Sequence, residues 1–364
     1  MINSERWILR KQPFKDKVRD AHNIISIGVD GDGFLHMAYG MHGAKLKYTK
    51  SVAPHSLKMG SLSEMDGKEE NKVTYPEFYS LPDGDLLFVY RSGASGNGNM
   101  VMKRYSYESK KWTTVQSNLI DGGGERNAYW QLCVDKRGYI HLSWVWRETN
   151  DVATNHDLCY ACSKDGGVTW ENSNGLPYSL PIDINNAEIV WRIPQNSELM
   201  NQTSMTVDND GYPYIATYWR DKDSQVPQYR IVWKNNEGWK ATQVGERKIP
   251  FTLSGKGTKM VPISRPVILI YGSKVMIIFR DIERKSRVSM AVSSNIEESE
   301  WEICDLTQFS VDAWEPSYDI NLWNNLKTLN LFVQETHQGD GEKVYKSSKR
   351  SSLIWIQDVT SFLK

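Results

Sequence analysis

Four arginines hold equivalent places in a repeated pattern: Arg91, Arg147, Arg220 and Arg280 each close an apolar run that reads as the second strand of a unit. A guanidinium presents a planar fork of N–H donors that grips a carboxylate or sulfate bidentately, so several around one depression make a site for an acidic group. Taken singly, each could instead pair with a nearby acid, as Arg220 with Asp221 or Arg280 with Asp281. Histidines divide in two. His36 and His141 recur in the middle of second strands, which reads as structural packing, whereas His156 opens a third strand between Asn155 and Asp157, neighbours able to set its tautomer and proton affinity.

These side chains need elements to bring them together, and the sequence repeats. An apolar strand, a D-x-x-G type turn, a second apolar strand ending in a polar or basic residue and then a third strand recur from His22, Tyr75, Ala128, Met205, Arg265 and Pro316. Asp-Gly turns are hairpin signals, and wholly apolar flanking runs suit strands buried on both sides. Fourth strands are read at KKWTTVQ, GVTWE, GWKATQV and SEWEICDL, and no helical period of useful length is found. The expected fold class is all-β, a β-propeller of four-stranded antiparallel blades with six units countable, forming a single domain over 1–364 closed by pairing of N- and C-terminal strands.

Antiparallel order places first-strand starts, second-strand ends and third-strand starts on one face. First-strand starts supply Glu77, Asn127, Tyr129 and Arg265, together with His22, Tyr75 and Glu315; second-strand ends and third-strand starts supply His42, Arg91, Arg147, His156, Tyr218, Arg220, Arg230 and Arg280. The DGDG, PDGD, DKRG and DNDG turns go to the opposite face. Long polar stretches at 51–73, 171–195 and 245–263 are expected as pocket walls.

Lys plus Arg equals Asp plus Glu at 44 each, so no global field draws nucleic acid or membrane and selectivity must be local. The 14 Trp and 18 Tyr suit twisted sheets and sugar-stacking surfaces. Four cysteines are few for a disulfide scaffold, and Cys159 and Cys162 of CYAC fall on opposite faces of a strand, which disfavours a metal or redox pair. No cofactor and no metal are expected. Met1 to Lys11 lacks an apolar leader region, so the compartment depends on whether Met1 is native, and no run approaches a membrane span. SKDGGVTW, Ser163 to Trp170, is an Asp-box, read as a blade turn rather than a catalytic motif.

With these residues in hand, the chain resembles the BNR-repeat propeller family that contains the ulvan lyases and the rhamnosyl-glucuronate-cleaving enzymes. The resemblance runs from about His22 to Arg280 through HNIISIGVDGDGFLHMAY, TYPEFYSLPDGDLLFVYRSGASG, RNAYWQLCVDKRGYIHLSWVWRETNDVATNHDLCYACSKDGGVTW and NSELMNQTSMTVDNDGYPYIATYW. It implies seven blades, the seventh to be drawn from the termini as ERWILRK with SLIWIQD, and a polysaccharide lyase acting next to a uronate in a rhamnose-containing glycan. Such chemistry requires a donor that neutralises the uronate carboxylate and groups that move protons on either side of the ring. On this reading Arg230 is the clamp, Arg147 and Asn127 are further donors, and Tyr218 and His156 transfer protons. Substrate contacts are expected from Arg220, Arg91, His42, Tyr129, Glu77 and Arg265. The chain departs from the family at Tyr39-Gly40-Met41-His42-Gly43, where a paired-histidine stretch is expected; Met41 cannot carry protons. The partner is an acidic polysaccharide or oligosaccharide met by a monomer. The alternatives are a glycoside hydrolase, rhamnosidase or sialidase-like, and a non-catalytic glycan-binding propeller.

Overall fold

Asp-Gly turns recur with one geometry. Asp30, Asp135 and Asp208 each accept two backbone N–H groups through Oδ1, from Asp32 and Phe34 (3.1 and 2.9 Å), Arg137 and Tyr139 (2.8 and 2.9 Å), and Asp210 and Tyr212 (both 2.9 Å). Gly33, Gly138 and Gly211 fill the position that needs φ of 83°, 83° and 90°. Each turn therefore folds its two apolar runs back on one another. The computed structural model describes residues 10–15, 20, 22–201, 203–255, 257–341 and 352–357, in which antiparallel strands form six sheets around a common centre, a propeller-like all-β arrangement.

The third sheet holds Asn127–Val134, Ile140–Arg147, Asn155–Ser163 and Glu188–Trp191; the fourth Ser204–Val207, Pro213–Trp219, Gln228–Asn235 and Gly238–Val244; the fifth Val267–Tyr271, Lys274–Asp281, Arg287–Ser293 and Glu302–Asp305. These are four-stranded, with sequential neighbours hydrogen-bonded. Apolar side chains from facing sheets fuse into separate cores, each sandwiched between consecutive sheets. Cys159 and Cys162 illustrate the alternation: the first packs in the core between the second and third sheets, the second between the third and fourth.

The first two sheets depart from the pattern. Ile25–Val29, Leu35–Tyr39 and Tyr48–Lys50 form a three-stranded first sheet, while His42–Ala44 leaves it and pairs antiparallel with Val73–Ser80 at the edge of the second. The second sheet, completed by Leu86–Ala94, Asn97–Ser106 and Lys111–Gln116, thus has five strands.

Three expectations are corrected. GVTWE is no strand: Asp165 Oδ1 accepts from the Val168 and Thr169 backbones (3.1 and 2.9 Å), curling the Asp-box into a turn that buries Trp170, and Glu188–Trp191 takes the fourth position. In the sixth unit the first strand is reduced to a bridge of Tyr318 with Leu331, and a helix, Ile320–Leu326, stands in place of the turn, its first turn capped by Asp319 accepting from Leu322 N at 3.0 Å. The SLIWIQD segment, expected in a seventh blade, enters the sixth sheet, where Ser352–Gln357 pairs with Leu329–Gln334. Most of ERWILRK lies outside the described residues, as does the N-terminal partner of the expected ring closure.

Candidate functional site

A cavity of about 900 Å³ opens where the strands converge. Of the residues singled out in sequence, His42, Glu77, Arg91, Tyr129, Arg147 and Arg265 line it, together with His22, Tyr75, Arg280 and Glu315. Of the long loops, 245–263 contributes Leu253, Gly257, Thr258, Lys259 and Val261, whereas 51–73 and 171–195 contribute nothing to the lining.

The wall built by the first three sheets is a ladder of rings. His42 stacks on His22 with centroids 4.3 Å apart and planes inclined by 19°; Tyr75 stands 6.0 Å from His22 and, on its other side, 6.0 Å from Tyr129. Two guanidiniums lie over the phenols: Arg91 Cζ is 5.0 Å from the Tyr75 ring centre and Arg147 Cζ 5.1 Å from that of Tyr129. Cation–π attraction orients both pairs. Burial works to raise the Tyr129 phenol, but Arg147 and Arg91, with hydrogen bonds from Ser95 and Arg147, outweigh it and hold it below the ordinary tyrosine value. Tyr75 has burial as its main influence and is pushed up.

Arg91 is 2% exposed, and its Nε and Nη1 find no hydrogen-bond acceptor among the described residues; the Nε atoms of Arg147 and Arg265 are in the same state. Buried donors without acceptors are costly, and an anion entering the cavity would satisfy them. Gly98 makes the Arg91 arrangement possible, since a Cβ there would lie 2.8 Å from both Arg91 Cγ and Cδ. Tyr75 also depends on local backbone. It adopts φ 56° where the strand register shifts between Thr74 and Glu77, a bulge that turns its ring toward the cavity.

Glu77 follows two residues on, its carboxylate accepting from Tyr79 Oη at 2.7 Å. Burial pushes this carboxyl up to about 7, against the hydrogen bond from Tyr79. On the opposite wall Arg265 Nη1 lies 3.6 Å from Glu315 Oε2, and Arg280, expected to pair with Asp281, instead donates to the Val261 and Trp314 carbonyls at 3.0 and 3.4 Å. Asp281 is taken by Arg247.

The residues placed at the centre from sequence lie elsewhere. Tyr218 is fully buried, its hydroxyl 2.9 Å from Met200 Sδ and its ring packed against Tyr229 and Phe251; burial pushes its phenol up, the reverse of what proton transfer would need. Arg230 is paired in register with Thr217, so it projects from the face opposite Tyr218, lies 4.9 Å over the Trp219 ring and forms an ion pair with Asp221. His156 has both ring nitrogens engaged, Nε2 with Glu148 at 2.9 Å and Nδ1 with Asp157 at 3.2 Å. Burial opposes its charge, but the two carboxylates prevail and raise its proton affinity. Arg220 ties loop carbonyls, donating to Ser224 O at 3.1 Å and to Asn196 O. Asn127 is fully buried and accepts from Gly96 N, clamping the hairpin that carries Ser95 toward Tyr129. None of these five lines the cavity. His36 and His141 are buried structural groups, bonded to Asp30 and Tyr48 and to Tyr160.

Two features escaped the sequence. Asp20, on no predicted strand, accepts from both cavity histidines, at 2.7 Å from His22 Nδ1 and 2.8 Å from His42 Nδ1. Met41 is fully buried and its Sδ accepts from Lys47 N, so the imidazole beside His42 comes from His22 rather than from position 41. Only the Tyr-Pro step at 75–76 hinted at the bulge, because proline restricts the residue before it.

Known proteins share both the sequence pattern and the fold. An ulvan lyase, long isoform, from an Alteromonas species is 27% identical over 277 residues, covering 59% of this chain and 27% of its own length. The ulvan lyase of Nonlabens ulvanivorans is 28% identical over 247 residues, with 57% and 49% covered. The chain thus spans between about a quarter and a half of these relatives. A family 25 polysaccharide lyase solved as an ulvan lyase bound to -[GlcA(1-4)Rha3S]- superposes with a TM-score of 0.66 at 14% identity, over 87% of this chain and 77% of that one, which speaks for the fold. The model of the BNR repeat-containing family matches residues 1–247, and the chain belongs to that family.

Proposed function

We propose that the chain is a polysaccharide lyase that cleaves a uronate-containing, rhamnose-rich glycan by β-elimination, with His42 as base, Tyr129 as acid and Arg147 with Arg91 as the carboxylate clamp. The observation that carries this reading is the Tyr129 phenol set beside two guanidiniums and held below its ordinary value. The ulvan lyase relatives and the glucuronate-rhamnose ligand of the solved neighbour support the substrate class.

The uronate carboxylate enters among the unsatisfied N–H groups of Arg91 and Arg147. Their charge stabilises the enolate that grows on the carboxylate as the C5 proton leaves. His42 Nε2 takes that proton, the C4–C5 double bond forms and the C4–O4 bond breaks. Tyr129 delivers its proton to the departing glycosidic oxygen. The same cations that neutralise the substrate make the phenol a stronger acid, so one charge cluster serves both tasks. Arg265 and Glu315 on the far wall face the neighbouring sugar.

The roles move from the sequence expectation to other residues of the same types: Tyr129 takes what was assigned to Tyr218, His42 what was assigned to His156, and Arg147 what was assigned to Arg230. A standard hydrolase, unlike a sialidase-like one with its tyrosine nucleophile, would need two carboxyl groups flanking the bond. Among the lining residues these are Glu77 and Glu315, and Glu77 is engaged with Tyr79.

Incubation with ulvan tests the proposal, following ultraviolet absorbance of the unsaturated uronate alongside reducing ends. A lyase raises both; reducing ends without absorbance would establish hydrolysis and refute it, as would binding with neither signal. Tyr129→Phe is expected to lower kcat on the order of 10²–10⁴-fold with little effect on KM.

A further inference from the structure

We propose that Asp20, with the stacked ring of His22, is a positioning residue that fixes His42 in its Nδ1–H tautomer and turns the Nε2 lone pair into the cavity. The inference rests on the reading of His42 as base and supplies what that reading lacks, a reason why an edge-strand histidine, its side chain 39% exposed, should hold one orientation.

An ionised carboxylate only accepts, so an imidazole nitrogen 2.8 Å from Asp20 Oδ2 must carry the hydrogen. A neutral imidazole has one N–H, which leaves Nε2 with its lone pair. Asp20 is itself fixed. Its Oδ1 accepts from the His22 backbone at 2.9 Å and from His22 Nδ1 at 2.7 Å, so each oxygen serves one ring. Partial burial opposes ionisation, but the bonds from the His22 backbone and from the His42 and His22 rings hold the carboxyl down at about 2, so it is an acceptor at any working pH. The His22 ring, 4.3 Å away and nearly parallel, blocks rotation of His42 about its own axis, and Tyr75 backs His22. Met41 is thereby explained: a second imidazole is supplied from another segment, and it steers rather than transfers.

A tautomer clamp predicts an unusual ranking. The side-chain amide introduced by Asp20→Asn can donate an N–H to His42 Nδ1, which would move the ring proton to Nε2 and block the base; Asp20→Ala merely frees the ring. Asp20→Asn should therefore lower kcat on the order of 10²–10³-fold, Asp20→Ala on the order of tenfold, and Asp20→Glu should recover part of the loss, all with KM nearly constant. A purely structural role gives the opposite order, because asparagine is the closer isostere of aspartate. Nitrogen-15 spectra of the seven histidines, with His42→Ala to assign the signal, should show a protonated Nδ1 in the parent chain and a protonated Nε2 in Asp20→Asn. A protonated Nε2 in the parent, an Asp20→Asn variant milder than Asp20→Ala, or stoichiometric zinc held by Asp20, His22 and His42 would overturn the inference. Full activity in His42→Ala would instead refute the base assignment, while the spectra still report the tautomer, so the two failures are distinguishable.

Discussion

Arg147→Met removes a cation that the proposed reaction uses twice. Its Cζ lies 5.1 Å from the centre of the Tyr129 ring. At an effective dielectric of about 20, a charge pair at that distance attracts by about 3 kcal/mol, and the clamped carboxylate would be at least as close. As transition-state stabilisation, about 3 kcal/mol is a factor on the order of 10² in rate, which is the minimum expected fall in kcat/KM at neutral pH. The pH profile carries the sharper signature. Tyr129 must be protonated to donate; burial raises its proton affinity, and Arg147 is the foremost of the groups that outweigh burial and lower it. Loss of the cation raises that affinity, so the alkaline limb of kcat should move to higher pH in Arg147→Met. Arg147→Lys should restore the limb while leaving kcat/KM well below the parent, because an ammonium lacks the bidentate fork. Initial rates on ulvan across pH, read from the unsaturated product, decide the matter. A parental rate in Arg147→Met, or a fall in rate with an unmoved limb, would refute the shared-cation reasoning.

Gly98→Ala places a methyl 2.8 Å from two carbons of Arg91. Arg91 must shift, and KM for the glycan is expected to rise several-fold while thermal stability changes little. For Glu77, burial raises the folded-state value to about 7 above an ordinary 4.5, so the folded chain binds the extra proton more tightly than the unfolded one. The stabilisation is complete below about pH 4.5 and lost as pH climbs through about 7, a swing on the order of 3 kcal/mol. Urea midpoints of Glu77→Gln should lack the fall over that interval that the parent displays; identical slopes would contradict the burial of this carboxyl.

The repeat was readable because Asp-Gly turns and apolar runs act locally: Asp30, Asp135 and Asp208 build their hairpins from neighbours two and four residues away. Arg91 and Arg147 were readable for the same reason, each lying toward the far end of a strand whose start is fixed by its turn, although the strand of Arg91 runs on to Ala94. Tyr218 and Arg230 were misplaced by a finer rule. Side chains alternate along a strand, so a residue at the correct end can face the neighbouring core, and only the register Thr217 with Arg230 reveals which. His156 had suitable neighbours but too many: carboxylates on both nitrogens make a salt-bridged post rather than a base. Asp20 belongs to no strand, and its meeting with His42 bridges 22 residues of chain. Pattern along the sequence cannot foresee that contact.

The short strand His42–Ala44 bears on how the molecule comes apart. Backbone hydrogen bonds here cross from the first unit into the second, as the bridge of Ile120 with Ile182 does from the second into the third. Peeling the N-terminal unit away would break both packing and ladder, so the first two units should open as one cooperative block in hydrogen exchange, with Thr74 and its partners protected to the level of the block interior. The histidine that the proposed chemistry needs at the cavity edge thus rides on the stitch that holds this seam shut, and its position should persist for as long as that block stays closed.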